Sequence, residues 1–592
     1  MSGGSDERAD VRRANPGERR QAFALVWRAA HPDRKQITWA TSWLALAGLL
    51  DATGPLFGKQ FIDAYLLPHT LDWTMMALLV AGYLLTGTAA SIIRYFQLVR
   101  LAGLSMRSVR RLRESVYEHV LRLPMAFFDC AITGQLVSRI TNDTEAVKQM
   151  YTQVLFDLLV GLTVLFGVIV AMLWLDWRLM LLVLLLVPAS AGIVWGYQRL
   201  SGAAVTRARA LRSDINARMA EGIAGMNLLQ AMGAVPRFRR YYAETNQAHY
   251  VARMGEVRAN AWLLRPALDF LNILLIVVMV AAVGTQRMQG VEVGLLYAFI
   301  AYVARIVDPM IQITMQFSSL QQSIIAAARV NVLLHEPEAP AAGRDGRIER
   351  GQMHLSNVTF GYDAARPVLH DLTLVIPAGA FIGVVGHTGS GKSTLLSLLL
   401  RFYAPQAGRI DVDGIPLADI GDAHFRAAVG LVPQEPFLLA ASARANIDMG
   451  RGLSDEAVMA AARAARAHEF IAALEAGYDT PLGEGGARLA AGQKQLIAVA
   501  RALAGRPRIL FLDEATSRID SETEQRMQRA LTALHGTVTV VAIAHRLSTI
   551  RAADRIIVLN HGRIAEAGTH DALMAIPDGI YQRLYLLQQI GD

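Results

Sequence analysis

The chain has 592 residues, with 58 Lys and Arg against 50 Asp and Glu for a net charge of +8. That length is too great for one core and calls for two or three folding units. A mean hydropathy of +0.31 with 53% hydrophobic residues is concentrated before residue 330 and excludes an ordinary water-soluble globule, while the single cysteine, Cys130, excludes a disulfide framework or a cysteine metal cluster and reads as an unreactive buried or interfacial thiol.

Residues 1–20 are rich in Ser, Gly, Asp and Arg and are expected to be disordered. The first 36 residues are charged and polar, and no short apolar segment ends in a small-residue cleavage site, so no secretory signal is expected. Between Arg20 and Ala30, Phe23, Val26 and Trp27 share one side beside arginines, which suits a helix lying on a membrane surface.

The membrane half is expected to span 21–334, with six spans at 36–66, 73–98, 152–176, 178–200, 264–286 and 293–316. Each has about the length a helix needs to cross a bilayer. The loops after the first, third and fifth spans (PHTLD, DWR, QRMQGVE) are short and poor in Lys and Arg, whereas those after the second and fourth are long and arginine-rich. The arginine-rich loops are therefore cytoplasmic, and both chain ends lie with them. This bias also accounts for the positive charge, so no nucleic-acid partner is expected. Each long loop breaks its helical pattern, at Leu123-Pro124 to Gly134 and at Gly233 to Pro236. Short crosswise helices there would suit contacts with a cytoplasmic domain. Asp51, Arg94, Asp269, Arg305 and Asp308 fall in or at the ends of spans, where ionisable groups are costly. They either pair helices, sit at the interface or mark a pathway.

Residues 335–351 (HEPEAPAAGRDGRIERG) read as a linker, and from 352 to 592 β-rich runs such as FIGVVG, ILFLD and VTVVAIA alternate with helical stretches. That is an α/β domain with a mostly parallel sheet. Its strongest signal is Gly386-His387-Thr388-Gly389-Ser390-Gly391-Lys392-Ser393-Thr394 between a strand and a helix. In such a P-loop the backbone amides wrap a β-phosphate, Lys392 reaches the β- and γ-phosphates, and Ser393 holds Mg²⁺. The strand Ile509–Leu512 ends in Asp513-Glu514, which would bring Asp513 to the Mg²⁺ and leave Glu514 to polarise the attacking water.

Together these motifs resemble the ATP-binding cassette exporters, specifically half-transporters in which six membrane spans of the type IV exporter fold are fused to one α/β P-loop nucleotide-binding domain. The resemblance covers about 20–585. It implies that Tyr362 in FGY stacks on adenine, that Gln434 in LVPQEPF touches Mg²⁺ and relays its state, and that His545 in AIAHRLS meets the γ-phosphate. Asp520 in SRID matches the aspartate of the loop that crosses the dimer interface, although Arg518 is unusual there. The signature loop, normally Leu-Ser-Gly-Gly-Gln, reads Leu489-Ala490-Ala491-Gly492-Gln493. It begins a helix and offers its dipole to an ATP held by the other subunit, but its hydroxyl is gone and a Cβ stands where the ligand comes close.

One cassette and six spans make half of a machine, so a dimer embedded in the bilayer is expected. Two identical copies would have both ATP sites weakened, whereas an unlike partner with an intact signature would complete the site of Lys392, Asp513, Glu514 and His545. The heterodimer is the favoured expectation, resembling the paired multidrug-resistance-like subunits of Gram-negative inner membranes. Export of small amphipathic compounds leads, lipid translocation uses the same machinery, and an ATP-gated channel or regulatory subunit is a reading of another class. A binding-protein-dependent importer is disfavoured, since importers usually carry spans and cassette on separate chains.

Overall fold

The computed structural model describes residues 16–591 apart from 70–71, 286–292, 340–342, 344–345, 364, 515–520 and 545. It divides into two compact units, one of Met1–Arg122 with Ala131–Glu336 and one of Leu123–Cys130 with Pro337–Asp592.

The described part of the first unit is helical. Helix α1 (Pro16–Ala30) covers the last described part of the stretch expected to be disordered. Ala22, Val26 and Ala30 are buried at helical spacing, while Phe23 and Trp27 are exposed. The segment expected as one span at 36–66 is instead two helices, α2 (Arg34–Ala52) and α3 (Gly54–Phe61), followed by a π turn to Leu66. Pro55 causes the break, since it has no N–H for the Asp51 carbonyl four residues back and its ring crowds that carbonyl.

Five stretches among the described residues are long and apolar enough to cross a membrane: Trp73–Leu121, Thr133–Leu175, Trp177–Ala224, Val235–Ala281 and Val293–Ile313. Two of them start on aspartate caps. Asp72 accepts from the N–H of Thr74 and Met75, and Asp176 from those of Arg178 and Leu179, which satisfies orphan donors at the helix starts. Helix α4 (Trp73–Leu121) has 49 residues and a length of about 74 Å at ~1.5 Å per residue. The hydrocarbon core is about 30 Å thick, so α4 runs on well beyond it.

Packing inside this unit relies on small residues. A Cβ on Gly48 would stand 2.9 Å from the Thr163 carbonyl, and one on Gly167 would stand 2.8 Å from the Gly48 carbonyl. Those two glycines bring the backbones of α2 and α6, the helix Phe156–Leu175, into contact, as suits helices packing in lipid. The apolar cluster beside them includes Ala52, Val168, Met172, Phe299 and Tyr302. Short helices lie at or beside the expected pattern breaks: α5 (Met125–Cys130), which belongs to the second unit, and, in the first, α7 (Met226–Ala231) just before the second break, bounded by Gly225 and by Gly233 with φ +62°. Cys130 is exposed rather than buried. The last helix of the unit is α8 (Val293–Leu334).

The second unit has two sheets. Strands β1 (Met353–Phe360), β2 (Leu369–Ile376), β4 (Ala407–Val412) and β5 (Ile415–Pro416) form an antiparallel sheet in the order β2-β1-β4-β5. The main sheet runs β10-β9-β3-β8-β7-β6, with β3 (Phe381–Val385), β6 (Val429–Val432), β7 (Ile509–Asp513), β8 (Thr539–Ile543) and β9 (Arg555–Asn560) parallel and β10 (Arg563–Gly568) antiparallel at the edge. Alternate residues feed its two faces. Leu510 and Leu512 enter one core, Ile509 and Phe511 the other, the period of two a doubly covered strand requires.

The expected linker is only partly one. Ile348 is buried in a core of this unit, and the Asp413 carboxylate accepts from the N–H groups of Glu349, Arg350, Gly351 and Gln352. Burial alone would raise the Asp413 pKa, but these four donors together hold it below its ordinary value. Segment 346–352 is therefore bound to the domain it precedes.

Candidate active site

The loop between β3 and α9 (Lys392–Leu399) lies at the carboxyl edge of the main sheet, where α/β folds place their ligands. Its shape demands glycine. Gly386 has φ +154° and a Cβ there would come within 2.2 Å of the Leu559 carbonyl; Gly391 has φ +101° and its Cβ would meet Leu369 at 2.7 Å. The loop borders a cavity of about 390 Å³ lined by Gly386 to Gly389, Gly391 to Thr394, Glu514, Ala544 and, from elsewhere, Leu547, Leu584, Leu587 and Gln588.

Lys392 folds back over the loop, its Nζ donating to the carbonyls of Gly386 at 2.8 Å and His387 at 3.0 Å. Burial lowers its pKa, with Glu514 and Asp513 pulling the other way. Burial, and then the adjacent Glu514, raise Asp513 above the usual carboxylate range against the pull of Lys392. Ser390 Oγ is buried with no hydrogen-bond partner among the described residues. An orphaned hydroxyl is costly unless something fills the loop, and an anion in the loop is the group that would satisfy it. The residues present thus fit a phosphate chain.

Asp513 ends β7 and Glu514 follows it; β7 is separated from β3 by β8. Glu514 has φ +44°, donates its N–H to the Ile543 carbonyl at 2.9 Å and accepts from Gln434 Nε2 at 2.7 Å. The structure therefore brings the loop, Lys392, Asp513, Glu514 and Gln434 together. His545 and Asp520 lie outside the described residues, though Ala544, just before His545, lines the cavity. Tyr362 is not part of the cavity wall. It is 57% exposed and meets Tyr403 edge-on at 5.2 Å between ring centroids.

The signature residues start α10 (Ala491–Ala504). Leu489 is buried in the core, Ala490 and Ala491 are exposed, and Gly492 sits so close to Thr523 that a Cβ would meet its Oγ1 at 2.7 Å. Ala490 is the N-cap residue with no side-chain cap; its N–H instead donates to Gln493 Oε1 at 3.1 Å. The exposed helix start remains intact. What is missing is the acceptor and donor that a serine would offer there.

Several residues that sequence motifs do not flag organise the site. Gln495, buried on α10, donates Nε2 to the Pro433 carbonyl just before Gln434. Glu524, buried on α11 (Ser521–Thr532), accepts from Arg546 Nη1 at 2.7 Å and Ser548 Oγ at 2.6 Å. Gln588 on α12 (Ile580–Gly591) accepts from the Leu547 N–H at 2.9 Å. Segment 546–548 is thus held from two helices. Within the same unit, the Tyr403 hydroxyl hydrogen-bonds the Asp129 carboxylate of α5; burial and that partner raise the Tyr403 pKa.

Residues 39–310 match the transmembrane region of ABC transporters, and residues 369–517 match the ABC transporter ATP-binding family. The chain is 33% identical over 567 residues to the multidrug resistance-like ATP-binding protein MdlB of Buchnera aphidicola subsp. Schizaphis graminum, covering 96% of this chain and 97% of that protein. It belongs to the ABC transporter family. It is also 31% identical to the ATP-dependent lipid A-core flippase of Syntrophus aciditrophicus, over 98% of this chain and 96% of that one. A solved structure of a bacterial Atm1-family ABC exporter with ATP bound superposes with a TM-score of 0.79 at 30% identity, covering 94% of this chain and 98% of that chain. The fold is that of a type IV exporter, and the chain is an ABC exporter that couples ATP hydrolysis to transport and works as a membrane-embedded dimer.

Proposed function

We propose that the chain is one half of an unequal pair that exports amphipathic compounds across the bacterial inner membrane, by six spans with both termini cytoplasmic. The observation that carries the pairing is Ala490-Ala491 at the exposed start of α10, in a chain that elsewhere keeps Lys392, Glu514 and Gln434 together. A helix start without a serine hydroxyl serves an ATP held by the other subunit poorly, whereas Lys392 and Glu514 serve the ATP in their own loop. An unlike partner with an intact signature therefore leaves one strong site and one weak one.

In the strong site the loop amides and Lys392 hold the phosphates, Glu514 orients and polarises the attacking water, His545 meets the γ-phosphate and Tyr362 turns to the adenine. Asp520 lies in the loop that crosses to the partner. Ser393, Asp513 and Gln434 are the residues that would hold Mg²⁺, which when bound neutralises charge on the phosphates. Gln434 reports to the rest of the chain because it joins Glu514 on one side and follows Pro433, tied to α10, on the other.

The test is to purify the chain alone and with its co-expressed partner and to measure ATP turnover. A rate at least tenfold higher in the pair is expected; equal rates would end the case for asymmetry. Maleimide labelling of the exposed Cys130 checks orientation, and is expected in inverted vesicles but not in intact cells. The likeness to a lipid A-core flippase favours lipid translocation as the second reading. Lipid flip and dye efflux measured in the same vesicles separate the two.

A further inference from the structure

The break at Thr53 creates a charged cavity in the helical unit. Because Pro55 gives no N–H to the Asp51 carbonyl, that carbonyl takes a substitute donor from α8, Arg305 Nη1 at 2.7 Å. One turn earlier on α8, the Tyr302 hydroxyl donates to the Ala52 carbonyl. The Asp51 carboxylate itself pairs with Arg94 Nη2 at 2.8 Å and lies 3.6 Å from Arg305 Nη1. Two guanidinium groups thus share one carboxylate, which leaves one positive charge over.

No second carboxylate is paired with either guanidinium among the described residues. Lys59 and Asp63 on the following turns pair with each other at 3.0 Å, and among the described residues Asp51 is the acidic partner of Arg305. An uncompensated cation among membrane helices is costly, and such groups are usually found facing a water-filled pathway. This one faces a cavity of about 370 Å³, whose wall includes Arg305 and its partner Asp51, Thr88 and Ser91 as hydroxyl donors, and Leu50 and Leu84 as apolar surface, while the Thr86 hydroxyl is spent on the Gly82 carbonyl at 2.9 Å. Arg305 spends only Nη1 on the kink among the described residues, and the rest of its planar fork suits a carboxylate or phosphate. Beside the cavity, Leu84 and Leu85 are 59% and 70% exposed and offer a path for a hydrocarbon chain.

We infer that this cavity binds the anionic head, carboxylate or phosphate, of an amphiphile, with Arg305 as its charged partner and the hydroxyls of Thr88 and Ser91 completing its shell. Taking that amphiphile as transported cargo rests on the export reading above; its binding does not.

The experiment uses the full assembly in nanodiscs of neutral phosphatidylcholine, titrated with dodecyl phosphate or with dodecanol, and reads ligand-induced thermal stabilisation. Dodecyl phosphate is expected to half-saturate at a concentration at least tenfold lower, and Arg305→Gln, which keeps a donor for the Asp51 carbonyl, should erase that gap. Equal action of the two amphiphiles on the wild type overturns the inference. Should Arg305→Gln fail to fold, Thr88→Val with Ser91→Ala replaces it; a several-fold weaker response to dodecyl phosphate alone supports the site, and no change overturns it. Replacing part of the neutral lipid with phosphatidylglycerol distinguishes sources. Competition with dodecyl phosphate assigns the site to a bilayer phosphate as well, and absence of competition assigns it to a free amphiphile. Dye efflux is followed in parallel vesicles. Efflux without any preference for the anion overturns the site and leaves export standing, whereas anion preference without efflux supports the site and overturns export.

Discussion

Ala490→Ser tests the proposal that the signature is weakened. Ala490 is exposed at the N-cap of α10 with β-region backbone angles, φ −66° and ψ 155°, which a serine adopts without strain. The new hydroxyl has two effects of different size. As a helix cap it adds about 0.5–2 kcal/mol of stability, or roughly 1–8 °C in the thermal transition of a domain this large. As a donor to the partner-held phosphate it adds a hydrogen bond to a charged group, about 1.5–3 kcal/mol, which is on the order of ten- to a hundredfold in trans-site function. The assay is steady-state ATP turnover of the chain purified alone, where both sites carry this signature, alongside melting without nucleotide. Turnover is expected to rise at least tenfold. A higher melting temperature with turnover changed less than twofold would show that the serine caps the helix and that its absence does not weaken the site, and the reasoning for an unequal pair would fall with it.

Glu514→Gln keeps the hydrogen-bonding shape beside Gln434 and removes the base, so turnover should fall about 10²–10⁴-fold while ATP still binds, as checked by nucleotide filter retention. Glu524→Ala strips Arg546 and Ser548 of their common acceptor and loosens the loop after His545. The expected loss is about tenfold in kcat, from a bond of roughly 1.5–3 kcal/mol, with little change in KM for ATP. Asp413→Asn should lower the melting temperature of the nucleotide-binding half by about 4–12 °C at neutral pH, from a loss of about 2–3 kcal/mol. The native carboxyl sits below its ordinary value of 3.8, so this stabilisation is complete above that value and fades as pH falls through the lower native one. The wild type and Asp413→Asn should therefore converge in acid, as melting curves across pH will show.

The parts of the site that were legible in the sequence are those where backbone geometry leaves one residue type. Gly386 and Gly391 tolerate no Cβ, so the P-loop spelling carries its own structure. Pro55 equally announces a break at Thr53, and a single span over 36–66 overlooks it. The donor that repairs that break was not legible, because Arg305 lies 254 residues from Asp51 and nothing local to either residue predicts their meeting. Glu524 looks like one more surface glutamate on a polar helix until Arg546 and Ser548 close over it. The linker misled in the opposite sense. Its Pro, Gly and charge are those of a solvated tether, yet three of its N–H groups and that of the adjoining Gln352 converge on Asp413 in a turn that composition does not foreshadow.

These tethers explain how a small event at one carboxylate can be felt elsewhere in the nucleotide-binding unit. Glu514 bonds Gln434, Gln434 follows the Pro433 that Gln495 holds, and Gln495 lies on the helix that begins with the signature. A change in charge at Glu514 therefore pulls on the start of α10 through two hydrogen bonds and a rigid helix. The loop after His545 has a separate connection through Glu524 to α11, the helix that follows Asp520. The starts of α10 and α11 are thus tied to Gln434, Glu514 and segment 546–548 by side-chain hydrogen bonds. If this coupling operates, Gln495→Ala should reduce turnover even with Glu514 and Gln434 intact, and it should do so more in the pair than in the chain alone, where the weak signature already limits the rate.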